Sequence, residues 1–281
     1  MKIERVRVRR VAEGEDAGAW KRALEDAAWV DGARVLKDEP GSGWVRRATV
    51  NGRDVVVKCR LLNTVGRRVK AAVGMGHGDK QWRGAERLRR AGIACGRPLL
   101  LARARVEGRP VELTVLDHVR GRSLLDVLDD VRAGSGPPVG VQHAIARATG
   151  RMVAALVRAG VWNRDNKPSN LIVTGQGERV EIVLIDLVGI KPIALRGMDD
   201  DLIVAEMLAS LLIEPTGCGC RPRAGLRMAA LRAALDALGW SGEDRVRRRA
   251  AVRSLIDEVE SILLSHGDPR PKVDPRQGRS R

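Results

Sequence analysis

Trp162-Asn-Arg-Asp-Asn-Lys-Pro-Ser-Asn170, then Leu171-Ile-Val173, then Val183-Leu-Ile-Asp186-Leu-Val-Gly189, is the stretch that decides how this chain folds. An Arg-Asp pair with Asn five residues beyond the Asp, on a polar loop before a short hairpin, suits phosphoryl transfer. Asp165 can orient an attacking hydroxyl and receive its proton. The side-chain oxygen of Asn170 is a hard ligand of the kind magnesium accepts. Asp186 closes an apolar strand, where a carboxylate is costly to bury without a cation, so it is the candidate second metal ligand.

Upstream of this stretch the pattern has a period of two. Arg34–Lys37 reads as a strand, Pro40-Gly41-Ser42-Gly43 as a loop and Trp44–Val50 as a second strand. Asn51-Gly52 is a hairpin turn signal, and Arg53–Lys58 returns antiparallel to the second strand. Asp79 caps a helix running to Arg90 and Gly92 ends it; strands at Pro98–Val106 and Val111–Val119 follow. Downstream the period becomes helical. Val141, Ile145, Ala148, Met152 and Leu156 form one stripe of a long helix, and further helices fit 199–213, 222–238 and 243–264. The expected design is α+β and two-lobed: a five-stranded antiparallel lobe with one helix over 30–117, and a mainly helical lobe over 118–265. Residues 1–29, a strand-like run at Ile3–Val8 followed by a helix around Trp20, Leu24, Ala27 and Ala28, read as an N-terminal extension, and 266–281 as a basic, disordered tail.

Charge narrows the partners. Lys and Arg number 51 against 35 acids in 281 residues, a formal charge of +16, and only nine of the cations are Lys. Anionic partners are favoured. Tyr and Phe are absent while Trp occurs six times, which excludes a tyrosine nucleophile and removes most stacking rings for single-stranded nucleic acid. A nucleic-acid partner is therefore not expected. The longest apolar run, Leu202–Ile213, is short of a membrane span and contains Glu206. Met1-Lys-Ile-Glu-Arg5 carries charge where a signal peptide is apolar, so the expected compartment is the cytoplasm. Cys59, Cys95, Cys218 and Cys220 lack zinc spacing and read as reduced, unligated thiols.

The loop Asn163-Arg-Asp-Asn-Lys-Pro-Ser-Asn170 resembles the catalytic loop of the protein-kinase superfamily, and Asp186-Leu-Val-Gly189 resembles its metal-binding Asp motif. The resemblance implies an ATP-dependent kinase using Mg2+. In that frame Asp165 and Lys167 are catalytic, and Asn170 and Asp186 hold the metal. Gly41, Ser42 and Gly43 cover the phosphates, and Lys58 pairs with them while Glu86 holds Lys58 in place. Asp117 and Val119 sit where the adenine meets the backbone. Within the superfamily the chain is most similar to bacterial lipopolysaccharide kinases, through Lys80-Gln-Trp-Arg-Gly-Ala-Glu86 and Ala91-Gly-Ile-Ala-Cys-Gly-Arg-Pro98. That likeness implies an anionic glycolipid or sugar acceptor, and association with the inner membrane face. The chain departs from the superfamily at Asn163, where His is usual, in having two loop glycines, and in lacking Ala-Pro-Glu after Asp186. Lys167-Pro-Ser-Asn170 is closer to protein Ser/Thr kinases, so a protein acceptor is the alternative, and a nucleotide-binding pseudokinase or scaffold the third reading.

Overall fold

Antiparallel pairing organises the first of two units into which the chain of this computed structural model divides; residues 1–177, 179–195, 197, 199–240 and 245–270 are described. Its elements are β1 (Ile3–Val11), α1 (Ala17–Asp26), β2 (Arg34–Glu39), β3 (Gly43–Val50), β4 (Arg53–Leu61), α2 (Val65–Ala72), α3 (His77–Arg90), β5 (Pro98–Val106) and β6 (Arg109–Asp117). They build a six-stranded sheet in the order β1-β5-β6-β4-β3-β2. Alternation sends Val55, Val57 and Cys59 of β4, and Val111, Leu113 and Val115 of β6, into one core with Trp20 and Leu24 of α1. The opposite face carries Lys58, in register with Thr114. There α3 packs so closely that a Cβ at Gly78 would fall 2.7 Å from Thr114 Oγ1 and 2.3 Å from Leu101.

Four expectations need correction here. Residues 1–29 are not an extension: β1 pairs along its length with β5 and becomes the edge strand, making six strands rather than five, while α1 seals the core. The lobe also has more than one helix, because the basic segment after β4 folds as α2. Asp79 lies within the first turn of α3 rather than before it.

The second unit holds β7 (Arg122–Ser123), α4 (Leu124–Ala133), α5 (Val139–Arg158), β8 (Val161–Asn163), β9 (Leu171–Gln176), β10 (Arg179–Leu184), β11 (Ile190–Pro192), α6 (Asp200–Gly217), α7 (Ala224–Leu238) and α8 (Arg245–Ser265). The first unit runs to Val119, and Arg87–Cys95 belongs to the second, where Leu184 N–H donates to Ala94 O at 3.2 Å. Of the expected stripe of α5, Ile145, Ala148, Met152 and Leu156 are buried and Val141 is partly buried. An apolar cavity of about 300 Å³ lies among α4–α8, lined by Leu128, Ile145, Leu208, Leu231 and Leu255 among others. No helix among the described residues is long and apolar enough to cross a membrane. Of the expected basic tail, 271–281 lie outside the described residues.

Candidate active site

In the second unit the decisive stretch folds as a self-bonded loop between two small sheets. It starts from β8, whose Asn163 is in register with Ile190 of β11, and Arg164 N–H donates to Gly189 O at 3.2 Å. Asn163 Oδ1 then accepts the Asp165 N–H at 3.2 Å, and its Nδ2 donates to Asn166 Oδ1 at 3.3 Å. Asn163 thus organises the loop through side-chain hydrogen bonds, at the position where the superfamily has His. Asn166, fully buried, donates to Met207 O at 3.1 Å and ties the loop to α6. Asp165 itself is half-buried beside Arg164, with Arg164 Nη2 at 3.2 Å from its Oδ2. Lys167 is exposed.

Asn170 binds this loop to the segment leading into Asp186. Its Nδ2 donates to Asp165 O at 3.1 Å, and its carbonyl accepts the Ile185 N–H at 3.0 Å, one residue before Asp186. The amide nitrogen being engaged, Oδ1 is the open end of the side chain. Asp186 follows the end of β10 between buried Leu184 and Leu187. Gly189 closes the set: a Cβ there would sit 2.9 Å from Asp165 N and 3.1 Å from Asp165 Cβ. Hydrogen bonds therefore tie Asn170 to Asp165 and to Ile185, the residue before Asp186, and Gly189 packs against Asp165. The donor set fits magnesium, since Asn170 Oδ1 and the Asp186 carboxylate are both hard oxygens.

The other expected residues lie in the first unit, around β4. The β2–β3 turn contains Gly41 and Ser42, whose carbonyls accept from Asn63 Nδ2 at 3.0 Å and Leu61 N–H at 2.8 Å, so its tip is tied to the end of β4. Gly43 has φ +143°, and a Cβ there would fall 1.9 Å from Cys59 O; only glycine permits that approach. Lys58 lies on β4 opposite Val45 and Thr114. Asp117 ends β6 with its N–H on Arg97 O and its carboxylate 2.8 Å from Arg53 Nη2, while Val119 lies past the strand.

Glu86 departs from its expected role. Its carboxylate accepts Trp82 Nε1 at 2.9 Å and lies 3.8 Å from Arg10 Nη1, so it faces β1 rather than Lys58. The buried stripe of α3 runs through Gln81, Ala85 and Leu88, and Glu86 sits to its side. One positioning residue escaped the sequence: Glu214 of α6 accepts the Ser169 N–H at 2.9 Å and Oγ at 2.7 Å. Nothing local signals a contact made across 45 residues.

A glycine-containing hairpin, a strand lysine and an Asp-Asn-Asp constellation on a helical unit define a protein-kinase-like protein. The model of the lipopolysaccharide kinase (Kdo/WaaP) family matches residues 29–195, more than half of the chain, and the chain belongs to that family. No curated protein sequence matches. Among solved structures the chain is similar to WaaP in complex with acyl carrier protein, with 18% identity, TM-score 0.56, and coverage of 90% of this chain and 99% of that one. A BubR1 kinase domain matches with 13% identity, TM-score 0.47, and coverage of 82% and 81%. The first of these likenesses shows the kinase-like fold.

Proposed function

We propose that this protein transfers the γ-phosphoryl group of ATP to a sugar hydroxyl of a lipopolysaccharide-like glycolipid, at the cytoplasmic face of the inner membrane. The observation that carries the reading is the pair of hydrogen bonds by which Asn170 touches Asp165 through its side chain and the Asp186 segment through its carbonyl. Asp165 orients the acceptor hydroxyl and takes its proton as the new P–O bond forms and ADP leaves. Lys167 offsets charge on the transferred group, and Lys58 with the Gly41–Gly43 backbone holds the phosphates. Asn170 and Asp186 would hold magnesium, which supplies charge neutralisation at the phosphates. Lys167-Pro-Ser-Asn170 favours a protein acceptor as the second reading.

Turnover of labelled ATP against glycolipid and protein acceptors tests this. The glycolipid arm is expected to be labelled, and Asp165→Ala to keep nucleotide affinity while lowering turnover by a factor of about 100 or more. Asp186→Asn is expected to weaken the magnesium dependence of nucleotide binding. Labelling of protein alone replaces the acceptor with the second reading. Undiminished turnover in Asp165→Ala defeats the mechanism, and nucleotide binding with no turnover makes the chain a pseudokinase.

A further inference from the structure

We propose that the outward face of α2 is a docking surface that seats the protein on an anionic lipid bilayer. The proposal names the surface behind the membrane location proposed above and does not depend on the phosphotransfer chemistry. A surface helix of a globular protein ordinarily buries its apolar stripe and shows water a polar one. In α2 this is inverted. Val65, Val69 and Val73, at i, i+4 and i+8, are 75%, 54% and 63% exposed, and Met75 in the following turn is 54% exposed. The residue turned inward is Ala71, two positions from Val69 and so about 200° around the helix from it. Four of the nine exposed large apolar side chains among the described residues fall between 65 and 75, which makes a patch rather than a scatter.

The helix is held by hydrogen bonds instead of apolar burial. Arg67 Nη1 donates to Leu61 O at 3.3 Å and to Asn63 Oδ1 at 3.0 Å, Arg68 Nε donates to Leu62 O at 2.9 Å, and Arg9 Nη1 donates to Ala71 O. Thr64 caps the start, accepting the Arg67 N–H at 3.2 Å. With its inner side fixed, the valine stripe points away from the sheet.

Charge selects the occupant. Arg68 and Lys70 project about 100° to either side of Val69, so exposed cations flank the apolar ridge on both shoulders. From Val55 to Gly78 there is no acidic residue. An apolar ridge with basic shoulders suits an interface where aliphatic groups enter the acyl boundary and long cations reach back to anionic headgroups. One eight-residue helix is far smaller than the ~1,200 Å² of a specific protein interface. Two copies meeting through this face would oppose like charges.

Co-sedimentation of the full-length protein with vesicles, without ATP or acceptor, tests the proposal. Vesicles of phosphatidylcholine with an equal share of phosphatidylglycerol are expected to bind the protein, and phosphatidylcholine alone much less. Val65→Ser/Val69→Ser/Val73→Ser, all at exposed positions, is expected to lower the partition coefficient at least about tenfold. Lys70→Glu is expected to lower it about tenfold on anionic vesicles with little effect on neutral ones. Val139→Ser, exposed elsewhere, is the control and leaves binding unchanged. A circular dichroism spectrum and melting curve matching wild type assign the loss to the surface. Equal binding by wild type and the triple-serine variant overturns the proposal, as does absence of binding to anionic vesicles. A dimer in light scattering that the triple-serine variant dissolves also overturns it, in favour of a second copy. Because no turnover is measured, failure here leaves the phosphotransfer reading untouched, and an inactive enzyme leaves this surface standing.

Discussion

Single residues in this protein carry charges whose surroundings can be traced. Glu112 of β6 is 3% exposed; its Oε1 accepts the Gly78 N–H at 2.6 Å, and Asp79 is buried nearby. Both carboxylates crowd one point: a Cβ at Gly76 would lie 2.4 Å from Glu112 Oε2 and 3.2 Å from Asp79 Oδ2. Burial pushes the Glu112 carboxyl above its ordinary value, and the charge of Asp79 adds to the rise. The Gly78 N–H and the guanidiniums of Arg103 and Arg60 pull the other way. A carboxyl raised on folding holds its proton more tightly when folded. Its stabilising contribution is full below the ordinary 4.5 and is lost as pH rises through the folded value. Glu112→Gln keeps the acceptor for Gly78 and cannot ionise. Its melting temperature relative to wild type is therefore expected to rise between acid and neutral pH, by an amount on the order of 2–4 °C. Melting curves of both proteins across that window measure it, and a gap independent of pH would mean that Glu112 titrates as if exposed.

Between elements, backbone approach decides what the sequence can carry. α5 and α7 meet at Gly150, where a Cβ would lie 2.0 Å from Ala230 O and 2.9 Å from Ala230 C. Backbone cannot swing aside as a side chain does, so Gly150→Ala forces the helices apart. A loss of about 2 kcal/mol or more is expected from such overpacking. Gly140, exposed near the start of the same helix with no heavy atom within 4 Å of its Cβ position, is the control. Gly140→Ala is expected to gain about 0.5–1 kcal/mol from helix propensity. Urea midpoints of the two variants should move in opposite directions; a neutral Gly150→Ala would mean that the contact yields. The same distinction explains what was legible in advance. The polar loop Asn163–Asn170 and the α5 stripe were, since local spacing and one apolar period specify them. The strand-like run at Ile3–Val8 was, but its pairing with β5 was not, because Val8 meets Ala102 across 94 residues. α2 was hidden by its inverted polarity, and the partners of Glu86, Trp82 Nε1 and Arg10, carry no local signal in the sequence.

At the scale of the whole molecule, the open question is what the formal charge of +16 does. Part of it is structural. Arg47 is 2.7 Å from Asp54, whose carboxyl is held below its usual range chiefly by that hydrogen bond, and Arg53 ties Glu15 and Asp117 together. Arg67 is likewise spent on Leu61 and Asn63, so charge reversal there would disturb the fold as well as the field. Lys70 is exposed, and every acid is absent from its neighbourhood in sequence, which makes it the cleaner probe. If this field gathers an anionic acceptor, its reach is one Debye length, ~8 Å at physiological ionic strength. On the proposed function, ATP phosphates would be contacted directly by Lys58 and backbone groups and would feel screening less. Added salt is therefore expected to raise the acceptor KM several-fold before it moves the ATP KM. Lys70→Glu should reproduce that change at low salt and remove most of the remaining salt dependence. Michaelis constants for both substrates at two salt concentrations, in wild type and variant, decide the matter. A flat acceptor response in wild type would assign the excess arginine to pairing and composition, and would move a neutral or soluble acceptor ahead of an anionic one.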